Sequence, residues 1–340
     1  MKKALILTYY WPPAGGSGVQ RWLKFVKYFR DFGIEPIIFT ADKAAYAIED
    51  ATLNNEIPEN MEVLKLPIWE PNNLFSLFGK NKNESAGFLN PNPSLFGKLL
   101  KFIRANFFIP DARKFWIKPS VKYLEKYITE NKIETVITTG PPHSMHLIGL
   151  KLKKKLNVNW IADFRDPWTE IDYFHQLPLT NYAKKKHFKL EKAVLEKADA
   201  VVVVGDTMKN NFEKDSNKIV TITNGYDTFK TEDSFKLDKK FSFTHIGLMN
   251  ADRNPHIFWE AISEICNENE KFKNDLVVKL VGAVDNSIKK EVKDFGLTEN
   301  VVYINYVPHN EVLKFQRNES LKVLICHHQL IQHLGLLQID

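Results

Sequence analysis

The chain has 340 residues, enough for two domains at roughly 100–200 residues each. Its 44% hydrophobic and 26% charged residues exclude disorder, collagen-like repeats and a disulfide-stapled mini-protein. The 47 basic against 41 acidic residues, a net +6, fall far short of the basic stripe of a dedicated nucleic-acid binder. Two cysteines, Cys266 and Cys326, cannot by themselves build a disulfide framework or a four-ligand zinc site, so a reducing compartment is expected. No run approaches about 18 apolar residues, the length that spans a bilayer. The apolar start is cut short at Tyr9-Tyr10-Trp11-Pro12-Pro13, which argues against a signal peptide and for a cytoplasmic chain.

In chain order, short apolar strands alternate with helices. Residues 4–8 read as a buried strand. Residues 20–32 place Trp22, Phe25, Val26 and Phe29 on one helical face, and Gly33 ends that helix. Further strands are predicted at 35–40, 134–139, 160–162 and 200–205. After Asn224-Gly225-Tyr226-Asp227 the alternation restarts, with strands at 241–247, 276–282, 301–307 and 321–326 and helices at 255–269, 287–295 and 309–318. Such alternation implies parallel strands joined by crossovers. The fold class is α/β, with two Rossmann-like domains at residues 1–225 and 226–340. The polar stretch 227–240 reads as a linker, and 70–95, rich in Asn, Pro, Gly and Ser, as an insertion or loop.

Ligands of such sheets bind at strand C-terminal ends. The first such loop, Trp11-Pro12-Pro13-Ala14-Gly15-Gly16-Ser17-Gly18, opens a helix, and Gly15 and Gly16 let backbone come close to an anion. Its alternative is a flexible crossover. A dinucleotide fingerprint is the rival, supported by Asp42 after the second strand. It fails at Arg21, which stands where a third glycine would let helix and strand pack closely. Thr138-Thr139-Gly140-Pro141-Pro142-His143 closes another strand, and His143 is either a ligand-facing group or a helix cap. Asp163-Phe164-Arg165-Asp166-Pro167-Trp168 reads first as an ion-paired turn; Tyr173, Phe174 and His175 beside it add aromatic faces that suit sugar rings. In the second half, Gly247 and Arg253 lie in the loop His245–Pro255, where Arg253 either clamps a diphosphate or pairs with Asp252. Gly282 lies in a further strand-end loop.

Taken in this order, Tyr10-Trp11-Pro12-Pro13 with its glycine loop, Gly140-Pro141-Pro142-His143, Asp163 to Trp168, Asn224-Gly225-Tyr226-Asp227 and His245-Ile246-Gly247 make the chain resemble glycosyltransferases of family 4, which have the GT-B architecture. The resemblance implies transfer of a sugar from a nucleotide-sugar, with retention, to a glycan or lipid-linked acceptor in surface polysaccharide or lipopolysaccharide synthesis. It implies catalytic roles for His143, Arg165 and Asp166, and donor binding by Gly15, Gly16, Gly247, Arg253 and Gly282. The nucleotide-sugar is a co-substrate; no metal, other cofactor or nucleic acid is expected. A nucleotide-dependent oxidoreductase or epimerase, or an inactive remnant that binds nucleotide-sugar weakly, are the alternatives.

A basic and aromatic stretch, Lys98 to Phe108 with Arg113 to Lys118 beyond it, fits either an anionic membrane surface at the inner face of the membrane or a core helix with a solvated basic face. The chain departs from the family in two places. Arg253 has no Lys close behind it, and no Glu-x7-Glu pair follows Glu319. His327, His328 and His333 lack a carboxylate cluster that would make them a metal site. The expectation is therefore a second domain that is incomplete, truncated at the C-terminus.

Overall fold

The computed structural model describes residues 1–70, 95–171, 173–225 and 238–308, together with 311–312, 315 and 321–322. The predicted linker up to 237, the insertion from 71 to 94, most of the 309–318 helix and the tail from 323 lie outside the described residues. The chain divides into two compact units on either side of the stretch 226–237.

The first unit is built on seven strands: β1 (Lys2–Leu7), β2 (Ile34–Asp42), β3 (Glu62–Pro67), β4 (Thr135–Gly140), β5 (Asn159–Phe164), β6 (Ala200–Val203) and β7 (Ile219–Thr221). All pair in parallel, in the order β3-β2-β1-β4-β5-β6-β7. Leu5 of β1 lies opposite Ile37 on one side and Val136 on the other. A central parallel strand is covered on both faces, so it is apolar at every position rather than alternating; Leu5, Ile6 and Leu7 are all buried. On one face, helix Ser17–Phe29 buries Val19, Trp22, Leu23 and Val26 against Ile6, Ile38 and Ile137. On the other, helices Ile117–Asn131, Ser144–Lys155 and Asn181–Lys197 bury Leu124, Ile148, Leu152 and Val194 against Leu5, Leu7, Val136 and Ala162. A short 3-10 turn, Arg30–Phe32, follows the first helix, and Gly33 at φ 71° closes it in the left-handed conformation.

The second unit has four parallel strands, β8 (Phe241–Ile246), β9 (Leu276–Val281), β10 (Val301–Ile304) and β11 (Leu321–Lys322), in the order β10-β9-β8-β11. Helices His256–Glu268 and Asn286–Asp294 pack Trp259, Ile262, Ile288 and Val292 onto Val278 and Leu280. The fold is thus α/β with two Rossmann-like units. In each sheet the order reverses once, beside β1 in the first and beside β8 in the second. Crevices for ligands open at the carboxyl ends of the strands at such reversals.

Candidate functional site

At the reversal in the first unit, the loops leaving β1, β4 and β5 meet on Arg165. Its backbone amide donates to the Gly140 carbonyl at 2.9 Å. Its Nη1 donates to the Gly18 carbonyl at 2.7 Å and its Nη2 to the Pro141 carbonyl. The guanidinium also lies 5.7 Å from the ring centre of Tyr10. Burial pulls the Arg165 pKa down, against the opposing pull of Asp166 and Asp163. Gly18 sits tightly in this arrangement: a β-carbon there would lie 3.2 Å from Arg165 Nη1 and 3.2 Å from the Tyr10 ring. Asp166 is exposed next to Arg165.

The expected ion-paired turn forms differently from the local reading. Asp163 does not take Arg165 as its partner; it takes Arg21 of the first helix, at 2.9 Å from Nη2 to Oδ1. It also accepts from Trp22 Nε1 and Thr139 Oγ1, each at 2.8 Å. Asp163 lies on β5 and faces the first helix, while Arg165 lies just past the end of β5.

His143 begins the turn into helix Ser144–Lys155, and its ring stacks on Trp168 with centroids 4.7 Å apart and planes 1° from parallel. Trp168 is fixed in turn, donating from its indole to His187 Nδ1 at 3.0 Å and from its amide to Glu191 Oε1 at 3.2 Å. Burial, then the neighbouring positive groups, holds the His143 pKa well below the ordinary histidine value, so the imidazole is neutral. His143 retains 9% exposure while its Nδ1 is buried, which leaves its other edge turned outward. The helix that follows is capped from a distance: Asp111 Oδ2 accepts from the Ser144 amide at 2.8 Å. No local pattern could have announced a cap 33 positions upstream.

The glycine loop is pinned by the segment after β2. The Gly15 amide donates to the Ile48 carbonyl at 2.9 Å and the Asp50 amide to the Pro13 carbonyl at 2.8 Å. Gly15 therefore holds the loop. Gly16, at φ 81°, turns the chain into a helix that has no side-chain cap and no acidic residue in its first turn. Beside this loop a cavity of about 210 Å³ is lined by Pro12, Pro13, Asp42, Lys43, Glu49 and Lys65.

In the second unit, Gly247 and Gly282 lie side by side after β8 and β9, at φ 143° and 124°. The Gly247 amide donates to the Val281 carbonyl and the Gly282 amide to the Ile304 carbonyl, both at 2.8 Å, and a β-carbon on Gly282 would collide with the Gly247 carbonyl oxygen. Arg253 ends the turn Ala251–Arg253, and its guanidinium makes a long contact, 3.5 Å, to the Leu248 carbonyl. The structure thus brings His143, Arg165, Asp166 and the glycine loop together in the first unit, and Gly247, Gly282 and Arg253 in the second. Among the described residues no group of three or more His, Cys, Asp or Glu is placed to hold a metal ion, and no helix is long and apolar enough to cross a membrane.

Comparison with known proteins bears on the sequence profile and the fold. Residues 88–230 match the sequence profile of Glycosyltransferase Family 4. No curated protein matches the chain. Among solved structures, a TarM variant from S. aureus in complex with UDP, fondaparinux and α-GlcNAc-glycerol superposes with a TM-score of 0.58 at 13% identity, over 95% of this chain and 80% of that one. Sucrose-phosphate synthase from Thermosynechococcus elongatus gives 0.55 at 15% identity, over 95% and 75%. The lipopolysaccharide outer core galactosyltransferase WaaB gives 0.50 at 12%, over 95% and 73%. These structures share the fold, and the profile match spans the segment that contributes Gly140, His143, Arg165 and Asp166. Residues 88–230 thus resemble Glycosyltransferase Family 4, and the chain shares the two-unit α/β fold of these solved structures.

Proposed function

We propose that the chain transfers a sugar from a nucleoside diphosphate-sugar to a glycan or lipid-linked acceptor with retention of anomeric configuration, in surface polysaccharide or lipopolysaccharide synthesis. The observation that carries this reading is the convergence of three strand-end loops on Arg165, with a neutral His143 held flat on Trp168 beside them. The bond between the sugar's anomeric carbon and the diphosphate breaks, and its electron pair leaves on the diphosphate. The acceptor oxygen attacks from the same face, and its proton passes to the departing phosphate oxygen. Negative charge then grows on the diphosphate, where fixed N–H dipoles stabilise it without reorganising. The uncapped helix start at Gly16 to Gly18 supplies such dipoles.

His143 is suited to donating a hydrogen bond to the sugar, since it is neutral and held in one orientation. Arg165 has spent donors on backbone carbonyls, so it shapes the loops, while Asp166 remains at the surface for a hydroxyl of sugar or acceptor. In the second unit, Gly247 and Gly282 allow backbone to approach the nucleotide, and Arg253 meets its phosphate.

The fitting acceptor is lipid-linked, at a membrane surface. Helix Leu95–Phe107 has no buried residue; Leu95 is 85% and Phe107 63% exposed, and Lys98, Lys101 and Arg104 share the helix. An apolar stripe among basic residues suits an anionic interface.

Thermal denaturation with UDP, UDP-sugars, GDP-sugars and NAD tests the reaction class. A ligand at about 100 times its Kd adds about 2.7 kcal/mol, so a nucleotide-sugar is expected to raise Tm and NAD to leave it unchanged. A shift with NAD and none with any nucleotide-sugar overturns the proposal.

A further inference from the structure

His146 is 0% exposed and has no part in the site described so far. Its ring stacks on Phe164 with centroids 4.3 Å apart, and its neighbours fix where its hydrogen sits. The Trp160 indole, which can only donate, reaches Thr138 Oγ1 at 2.9 Å. Thr138 Oγ1 in turn stands 2.9 Å from His146 Nδ1. The hydroxyl makes no other hydrogen bond among the described residues, so its own hydrogen has Nδ1 as acceptor. Burial keeps the ring neutral, with its pKa pushed down to about 3. The single imidazole hydrogen of His146 therefore lies on Nε2.

That Nε2 and the Nδ1 of His143 are both buried without a hydrogen-bond partner. They border the same small space. A β-carbon built on Gly140 would lie 2.6 Å from His146 Nε2 and 3.2 Å from His143 Nδ1, so only glycine leaves the space open. Two orphaned nitrogens facing one gap are costly unless they serve each other.

We propose that His146 is a positioning residue that sets the tautomer of His143: across the space above Gly140 its Nε2–H donates to one shared water, which in turn donates to His143 Nδ1. His143 then carries its hydrogen on Nε2, on the outward edge, and meets its ligand as a hydrogen-bond donor rather than as a base. The direction runs from the Trp160 indole through Thr138 and His146 to His143, and no member can be reversed without stranding another. The proposal rests on the reading of His143 as a ligand-facing group for its purpose, but the tautomer itself does not depend on any ligand.

The test is imidazole nitrogen NMR on the full chain labelled at histidine, at neutral pH, with the His143 signals assigned by their loss in His143→Gln. His143 is expected to show an unprotonated Nδ1 and a protonated Nε2. His146→Phe and Thr138→Val, each checked for an unchanged fold by circular dichroism, are expected to shift the hydrogen toward Nδ1 or into a mixture. His146→Gln, whose amide N–H occupies the place of Nε2–H, is expected to restore it. With a donor that turns over, His146→Phe lowers kcat by about 10-fold, the scale for a buried partner that orients a working histidine, with KM little changed. A protonated Nδ1 in the unaltered chain, or an unmoved tautomer in folded His146→Phe and Thr138→Val, overturns the proposal. If the tautomer responds while no nucleotide-sugar binds, the reaction class falls and the positioning role stands.

Discussion

Arg21 carries a full charge at 5% exposure, and its hydrogen bonds explain how. Beyond the pair with Asp163, its Nη2 donates to the Ile222 carbonyl at 2.8 Å and its Nη1 to the Thr223 carbonyl at 3.1 Å and Asn224 Oδ1 at 3.0 Å. Removing one partner of such a pair strands a buried charge, which costs about 3–5 kcal/mol. Arg21→Met is therefore expected to lower unfolding free energy by that amount in urea titrations, and Arg21→Met with Asp163→Leu to recover part of it. Additive losses would show that the two side chains act independently. Arg21, the residue that breaks the dinucleotide fingerprint, thus ties the first helix to β5 and to the segment after β7. At Gly282 the constraint is steric. Gly282→Ala combines an unfavourable φ with a collision and is expected to cost about 1–3 kcal/mol, read as an earlier transition of the second unit in limited proteolysis.

Among the elements, those with continuous apolar runs were legible: β1, β2, β4, β5, β8 and β9 all lie where hydrophobicity places them. β3 was not, because it is the sheet's edge and half its residues, such as Glu62 and Lys65, face water. β7, three residues long, is too short to leave a pattern. The candidate site was legible as loops, since glycine, proline and aromatic residues cluster after strands. Its wiring was not: Asp163 pairs with a helix 142 positions away, and Asp111 caps a helix it does not adjoin. The helix Leu95–Phe107 shows the same limit from the other side. The sequence allows either a core helix or one at a membrane surface; in the structure Leu95, Phe96, Leu99, Phe102 and Phe107 are exposed, and Asn106 fastens the helix through Pro178 and Thr180. Sedimentation with anionic vesicles is expected to carry the chain down, and Lys98→Glu with Lys101→Glu to abolish this. Equal binding to uncharged vesicles would refute the electrostatic part.

For the molecule as a whole, buried neutral histidines set the acid limit of stability. His143 and His146 have pKa values depressed by burial, and that of His187 is pushed down to about 4. In the unfolded chain each takes a proton near 6.5, so below that pH the unfolded state binds more protons and stability falls as acid is added. For His146 alone, the loss between about pH 7 and pH 5 is about 2 kcal/mol. Tm is expected to fall over this range, and His146→Phe to flatten the fall; an unchanged pH dependence in that variant would assign the acid sensitivity elsewhere.

The tie made by Arg165 has a consequence for how such a site can change over time. Its guanidinium hydrogen bonds end on the main-chain oxygens of Gly18 and Pro141, atoms that every residue type possesses. Apart from Gly18 and Gly140, whose neighbours leave no room for a β-carbon, side chains along the loops can therefore be exchanged while the spacing of the three loops stays the same. Whatever the site selects is free to drift on a frame that does not have to be rebuilt.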